Sequence, residues 1–217
     1  TSRDLSDEKR TRIGKLINKL AQDGHHSPFE KSTLHFLVNT DIATHIHLLK
    51  HRISSLNAES ARYKELKEDK YYIPEDWGDI ECNDDSKSFN YQFHKFGQEI
   101  NLFGEKWSDI LVEYTKFGNE LYHKCLKDLE LKLGRKRAKE SARFFKTYNS
   151  QIQADVMFNW RSFANFQNLR NSEHAQVEVR DLAREMLNLV ASIEGNPFQH
   201  TIEAFGFNDK KFREKTT

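Results

Sequence analysis

Between Trp107 and Leu133 the apolar residues Ile110, Leu111, Tyr114, Phe117, Leu121, Leu126 and Leu129 recur mostly at helical spacing, with no proline among them. That pattern predicts one long helix, with these seven side chains turned to the core and Gly134 as its stop. A helix with so much apolar surface must be covered by the rest of the chain. The fold is therefore expected to have a sizeable core.

At 217 residues the chain fits one domain spanning 1–217. Charged residues make up 31%, yet the formal net charge is only +1. This balance argues against non-specific nucleic-acid binding, which favours a basic excess. Cys82 and Cys125 share no metal-binding or redox spacing, so no disulfide framework is expected and a cytoplasmic location suits the chain. No apolar run approaches the roughly 20 residues of a membrane span. Because the chain begins at Thr1 rather than Met, a preceding N-terminal segment is expected.

In chain order, Asp4 to Asp23 predicts a helix carrying Leu5, Ile13, Leu16, Ile17 and Leu20 on one stripe, with Ser6 as N-cap and Gly24 as stop. The stretch 24–30 predicts a loop, although Ser27, Pro28 and Glu30 could also open a helix through a capping box. Leu34, Phe36 and Val38 then alternate with Thr33, His35 and Leu37, which predicts a partly buried strand. From Asp41 a short helix follows, with Ile42, Ile46 and Leu49 on one face. His47 and His51 stand at i and i+4, the spacing of a helical metal pair, but no carboxylate or third ligand accompanies them and no metal site is expected. The segment after Tyr63 reads as an exposed loop pinned to the core by Phe89, Tyr91, Phe93, Phe96 and Phe103. Arg135–Lys139 reads as a solvated basic face beside Glu140. Ala154–Phe158 predicts a second core strand, a helix runs from Ser162, and Val177–Ile193 predicts a further amphipathic helix ended by Gly195, Asn196 and Pro197. Phe198–Phe207 is expected as a docked tail.

Two polar stretches are denser than packing requires. The first, Lys50 to Tyr63, gathers Lys50, His51, Arg52, Ser54, Ser55, Asn57, Ser60 and Arg62. Guanidinium forks match phosphate oxygens, and short Ser and Asn side chains add local donors, so this stretch favours a phosphate-bearing ligand over a plain polar turn. The second repeats Asn and Arg around an apolar spine through Asn159, Arg161, Asn165, Asn168 and Arg170.

These stretches resemble a known family. Lys50-His51-Arg52, seven residues, then Ser60 is similar to the Arg-His-Arg, seven residues, Ser signature of the flavin-dependent thymidylate synthases, with Lys50 in place of the first Arg and Ala58 where that family usually has Glu. His25-His26-Ser27-Pro28-Phe29-Glu30 resembles the family's His-x-Ser/Thr-Pro-Phe-Glu motif. Glu140-Ser141-Ala142-Arg143 resembles its Glu-x-Ala-Arg motif, and 159–176 its Asn-x-Arg-Ser…Asn-Leu-Arg…His-Ala-Gln segment.

The resemblance implies an α+β fold, a small antiparallel or mixed sheet flanked by helices, assembled as a homotetramer with shared active sites. It implies reductive methylation of dUMP to dTMP, with methylenetetrahydrofolate as carbon donor and hydride from NADPH through FAD. It places His25, Ser27, Lys50, His51, Arg52, Asn159, Arg161 and Asn165 on FAD. The nucleotide would meet His47, where the family commonly has Gln, together with Ala58, Glu59, Ser60, Ala61, Arg62 and Arg143. Arg170 would be catalytic, touching the uracil ring and favouring its electron-rich, ionised form. Neither cysteine sits in an activating motif and Ser60 has no base at a recognisable spacing, so no protein nucleophile is expected. Two other readings stay open: a catalytically degenerate member of the family, and a nucleic-acid-binding helical module using Lys136, Arg137, Lys139 and the aromatic loop at 89–103.

Overall fold

The computed structural model describes residues 6–66, 68–82, 92–95, 98–101 and 104–214. Its elements in order are α1 (Asp7–Gln22), β1 (Leu34–Asp41), α2 (Ile42–Leu49), β2 (Ser55–Ala58), β3 (Gln92–Lys95), β4 (Gln98–Asn101), α3 (Trp107–Ala142), β5 (Gln151–Phe158), α4 (Trp160–Arg170), α5 (Val177–Ser192) and α6 (Gln199–Ala204). This is an α+β chain with a three-stranded antiparallel sheet in the order β1-β5-β2, and a separate β3-β4 antiparallel pair. Two compact units divide the chain. One comprises Thr1–Val38, Ile46–Asn57 and Ala154–Thr217; the other comprises Asn39–His45 and Ala58–Gln153.

The expected starts and stops are largely those observed. Ser6 caps α1, its hydroxyl accepting from the Lys9 N–H. At the other end the Gly24 N–H donates to the Ala21 carbonyl at 3.2 Å and the His25 N–H to the Leu20 carbonyl at 2.9 Å, a Schellman arrangement that closes the helix. Leu5 lies outside the described residues, and Leu16 is exposed, so the α1 stripe is only partly covered. After a 3-10 turn at Ser27–Lys31, β1 buries Leu34, Phe36 and Val38 and exposes His35 and Leu37.

The core of the first unit is aromatic. Phe36 stacks on Phe163 at 5.6 Å between centroids, Phe158 lies 5.3 Å from Phe166, and Trp160 stacks on Phe198 at 5.5 Å. Phe207 is fully buried, so the expected docked tail is a structural part of this core, and it includes α6. A polar chain ties α4 to α5: Gln167 donates to the Ala183 carbonyl, Asn171 donates to Gln167, and the buried Arg184 donates to Asn171. Gln167, Asn171 and Arg184 thereby satisfy one another, as a low-dielectric interior favours.

In the second unit, Gly134 has φ 75° and ψ 157° inside the span of α3. Tyr122 and Leu126 pack in one cluster with Ala138 and Ala142. A straight helix would separate residues 122 and 138 by about 24 Å, so the chain reverses at Gly134, where the left-handed backbone suits glycine. The buried face is Thr115, Gly118, Asn119, Tyr122 and Leu126. This corrects the expected face, because Tyr114 is exposed and Leu121 only half-buried. A Cβ at Gly118 would meet the Phe145 carbonyl oxygen at 2.6 Å; the missing side chain lets that backbone approach the helix.

A similar correction applies to α2. Asp41 caps it, accepting from the Thr44 N–H at 2.8 Å, but Thr44, His45 and Leu48 are buried whereas Ile46 and Leu49 are exposed. Apolar residues occur on both sides of this helix, so periodicity alone does not select the inner one. The basic run is exposed at Arg135, Lys136 and Arg137, as expected, and makes surface pairs. Arg135 pairs with Glu65 and Glu130, Arg137 with Glu140, Lys139 donates to the Tyr63 carbonyl, and Lys136 sits over the Tyr63 ring. Phe89, Tyr91, Phe96 and Phe103 lie outside the described residues, as does the side chain of Phe93.

Candidate functional site

Helix α4 explains how one side of a helix becomes core and the other becomes a site. Ser162, Phe163, Ala164, Phe166 and Gln167 are buried, which leaves Arg161, Asn165, Asn168 and Leu169 on the opposite face at helical spacing. The helix start is fixed by Asn159, whose Oδ1 accepts from the Ser162 N–H at 2.9 Å. The Trp160 N–H donates to Ser32 Oγ, also at 2.9 Å. The N-cap thus occupies the Asn159 carbonyl oxygen and leaves its amide N–H groups for other partners.

That open face borders a cavity of about 820 Å³, within the range of small-molecule and cofactor sites. Lys50, His51, Arg52, Asn159, Arg161, Asn165 and Arg170 all line it. Seven of the residues singled out from sequence therefore converge, from two segments far apart in the chain. His26, Glu30, Asn168, Leu169 and Phe205 also line it and were not among the site residues expected from sequence. The signal for His26 and Glu30 was their place in the 25–30 motif, whereas Phe205 carries no local signal and reaches the cavity through the docked tail. His25 and Ser27 are exposed and are not among the lining residues.

The electrostatics of this cavity are one-sided. Lys50, Arg52, Arg161 and Arg170 face it, and Glu30, the one carboxylate among its described lining residues, pairs with Arg161. Arg170 donates its Nε–H to His51 Nε2 at 2.9 Å, and the His51 ring meets the Phe166 ring edge to face at 4.9 Å. Burial, reinforced by the Arg170 charge and by His47, pushes the His51 imidazole down to about 4. His51 is therefore neutral at pH 7. Since α2 ends at Leu49, His47 and His51 do not share a helical face. Among the described residues no group of three or more His, Cys, Asp or Glu is placed to hold a metal.

The donor set fits a flavin dinucleotide. Its diphosphate needs cations, its ring edges need amide-type partners, and its ring planes need apolar or aromatic walls. Lys50, Arg52 and Arg161 meet the first need, Asn159, Asn165 and Asn168 the second, and Leu169 and Phe205 the third.

The second unit carries Ala58 to Arg62 and Arg143, whereas His47 belongs to the first unit and is not among the residues lining the α4 cavity. Ser60 Oγ accepts from the Arg62 N–H at 3.4 Å, and the Ser60 carbonyl accepts from the N–H groups of Tyr63 and Lys64. Glu140 collects the arginines: its carboxylate takes Arg62 Nε at 3.3 Å and Arg137 Nη1 at 3.4 Å, and its carbonyl takes Arg143 Nε at 3.1 Å. Burial works against the charged Glu140, but the bonds from Arg62 and Arg137 outweigh it and hold the carboxyl below its usual range. Glu59 pairs with Lys64, and Ala58 is half-buried at the end of β2. Arg62 and Arg137 share one carboxylate, and each guanidinium carries five N–H donors. Glu140 is the organising residue that the sequence reading left without a site role.

A protein-family model described as "Thymidylate synthase complementing protein" matches residues 1–194. A flavin-dependent thymidylate synthase from Pseudothermotoga lettingae is 32% identical over 192 residues, covering 88% of this chain and 75% of that protein. One from Kosmotoga olearia is 33% identical over 193 residues with the same coverage, 88% and 75%. Among solved structures, the UMP/dUMP methylase PolB from Streptomyces cacaoi, bound with 5-Br UMP, superposes with a TM-score of 0.64 at 27% identity, covering 90% of this chain and 85% of that one.

Proposed function

The chain belongs to the flavin-dependent thymidylate synthase family, and from that premise we propose that it methylates dUMP reductively to dTMP. The carbon donor is methylenetetrahydrofolate and NADPH is the reductant. The observation that carries the reading is the excess of positive charge in the α4 cavity, where four cations face one carboxylate.

Lys50, Arg52 and Arg161 would hold the diphosphate of FAD, and Asn159, Asn165 and Asn168 would hydrogen-bond its polar edges. The chemistry a flavin would supply there is the hydride needed to complete the methyl group. The protein's own contribution is binding, orientation and charge. Arg62, Ser60 and Arg143 take the nucleotide phosphate as a dianion, the group that a converging set of guanidinium donors fits best. Arg170 meets the uracil ring. A guanidinium does not release its proton near neutrality, so Arg170 acts by stabilising negative charge on the ring rather than by proton transfer. That charge raises electron density at the ring carbon to be alkylated. No nucleophilic side chain is required, in keeping with a buried Cys82 and a half-buried Cys125.

In this reading the protein works as a homotetramer whose active sites are completed by neighbouring subunits. In the second unit, the exposed Leu131, Phe144 and Tyr148 are apolar side chains available for assembly. Among the described residues no helix is long and apolar enough to cross a membrane.

The test is product formation. Purified protein given FAD, NADPH, methylenetetrahydrofolate and dUMP should yield dTMP by mass spectrometry, and omission of any one component should abolish it. No dTMP from the complete mixture, with FAD bound, would leave the degenerate-member reading in its place.

A further inference from the structure

His51 and Arg170 come from segments that no local pattern connects, yet their side chains meet in the α4 cavity. The contact has a chemical consequence. A guanidinium offers five N–H donors and no acceptor, so a hydrogen bond from Arg170 Nε requires a lone pair on His51 Nε2. An imidazolium has none. The ring must therefore be neutral, and its one proton must sit on Nδ1.

The ring is also held mechanically. Its edge-to-face contact with Phe166 fixes the plane, and Ser54 Oγ donates to the His51 carbonyl at 2.5 Å while the His51 N–H donates to the Leu48 carbonyl at 3.0 Å. Phe166 is itself fully buried. His51 is thus a fixed acceptor standing beside a long, flexible arginine.

Resting on the reading that Arg170 acts on the nucleotide ring, we propose that His51 is the positioning residue of Arg170. Its imidazole, held as the Nδ1–H tautomer, takes the Arg170 Nε–H and leaves both Nη groups to present a planar pair of donors to the uracil. The charged groups lining the same cavity are Lys50, Arg52, Arg161, Arg170 and Glu30. Four of these five are cations, so protonation of His51 would add like charge and break the contact. His51 accordingly orients Arg170 throughout the neutral range and carries no proton in the reaction. Its remaining Nδ1–H serves as a donor to a bound group.

The geometry distinguishes two substitutions. Gln places its amide oxygen near the site of the imidazole Nε2, whereas Asn reaches only as far as Nδ1. His51→Gln keeps the acceptor for Arg170; His51→Asn loses it. Misplacement of a catalytic group by about 1 Å costs about 100-fold in rate, so His51→Asn is expected to lower kcat by about that factor, with KM for dUMP changing by less than about 3-fold. His51→Gln is expected to remain within about 10-fold of the parent.

The decisive probe is 5-fluoro-dUMP, whose ring ionisation is read by ultraviolet absorption. Bound to the parent holoenzyme the ring should ionise at lower pH than when free. Arg170→Leu and His51→Asn should both abolish this shift, and His51→Gln should retain it. A shift that persists in His51→Asn but vanishes in Arg170→Leu overturns the proposal and leaves the role of Arg170 standing. A shift that persists in Arg170→Leu overturns both. Independent of any variant, nitrogen NMR of histidine-labelled parent protein should find a protonated Nδ1 and an unprotonated Nε2 at His51 from pH 6 to 8. An Nε2–H tautomer or an imidazolium would overturn the proposal even if no variant folded.

Discussion

The two units each contain a cavity walled by charge, and the cavities differ in how that charge is matched. The α4 cavity of the first unit is lined by Lys50, Arg52, Arg161 and Arg170 against Glu30. A cavity of about 480 Å³ in the second unit is lined by Lys64, Lys70 and Lys146 against Glu59, Glu68 and Asp69. In the second, every lysine has its carboxylate: Lys64 with Glu59, Lys70 with Glu68 and Lys146 with Asp69. Lys146 also donates to Asn119 at 2.8 Å and sits 4.5 Å over the Tyr122 ring, and Asp69 takes His123 as well. Charge density alone therefore says little. Matched charges hold structure together, and unmatched charges wait for a ligand.

That contrast makes predictions that can break it. The largest effect is expected at Arg170. Arg170→Ala should lower kcat by about 100- to 1,000-fold, the scale on which a preorganised charge-stabilising group acts, and should leave FAD bound by absorbance; near-normal turnover would remove Arg170 from the mechanism. Lys146→Met should do the opposite. It strips a cation whose side chain is 4% exposed from Asp69 and Asn119, and should cost about 2–3 kcal/mol of stability in denaturant melts with FAD affinity unchanged. A drop in FAD affinity for the folded variant would refute the division into structural and ligand-binding charge.

Arg161→Ala comes next. Loss of one charged hydrogen-bonding partner is expected to weaken FAD about 10- to 100-fold by fluorescence titration. Its pair with Glu30 is exposed at the cavity and such a pair contributes little to stability, so little change in melting temperature is expected. Gly118→Ala tests packing rather than charge. Its Cβ would press on the Phe145 carbonyl, and a loss of about 1–3 kcal/mol is expected.

The smallest effect is pH dependence. An unfolded histidine titrates near pH 6.5, whereas His51 in the fold is held at about 4. Between these values the unfolded chain takes up a proton that the folded chain refuses, so stability falls on acidification through that window. His51→Gln should flatten this part of the profile. Asp69 acts in a lower window: burial opposes its charge, but Lys146 and His123 outweigh burial and hold its carboxyl below the usual value. Its contribution is present above the unfolded carboxyl range and is lost as pH falls through the folded value. A profile for His51→Gln that matches the parent from pH 6.5 to 4 would contradict the His51 assignment.

Much of the fold was legible because local chemistry decided it. The alternation Leu34, Phe36, Val38 reads as a half-buried strand whatever surrounds it, Ser6 and Asp41 cap their helices through side-chain oxygens, and Gly134 acts through its backbone freedom. The faces of α2 and α3 were not legible in the same way. Both helices carry apolar groups on more than one side, and tertiary contacts chose Thr44, Leu48, Gly118 and Asn119 over Ile46, Leu49 and Tyr114. The site divides along the same line. Lys50, His51, Arg52 and the residues from Asn159 to Arg170 stood out because packing has no use for so many donors. Glu30 against Arg161, His51 against Arg170, and Glu140 against Arg62 join segments far apart in the chain, and no periodicity encodes such pairings.

We attribute flavin binding to the unmatched charge in the α4 cavity. A fluorescence titration of FAD into the parent protein and into the Lys50→Ala/Arg52→Ala double variant tests it most directly. Saturable quenching by the parent, lost or weakened at least about 100-fold in the variant while Lys146→Met binds like the parent, is the predicted result. Equal binding by parent and double variant would place the flavin elsewhere and contradict the account.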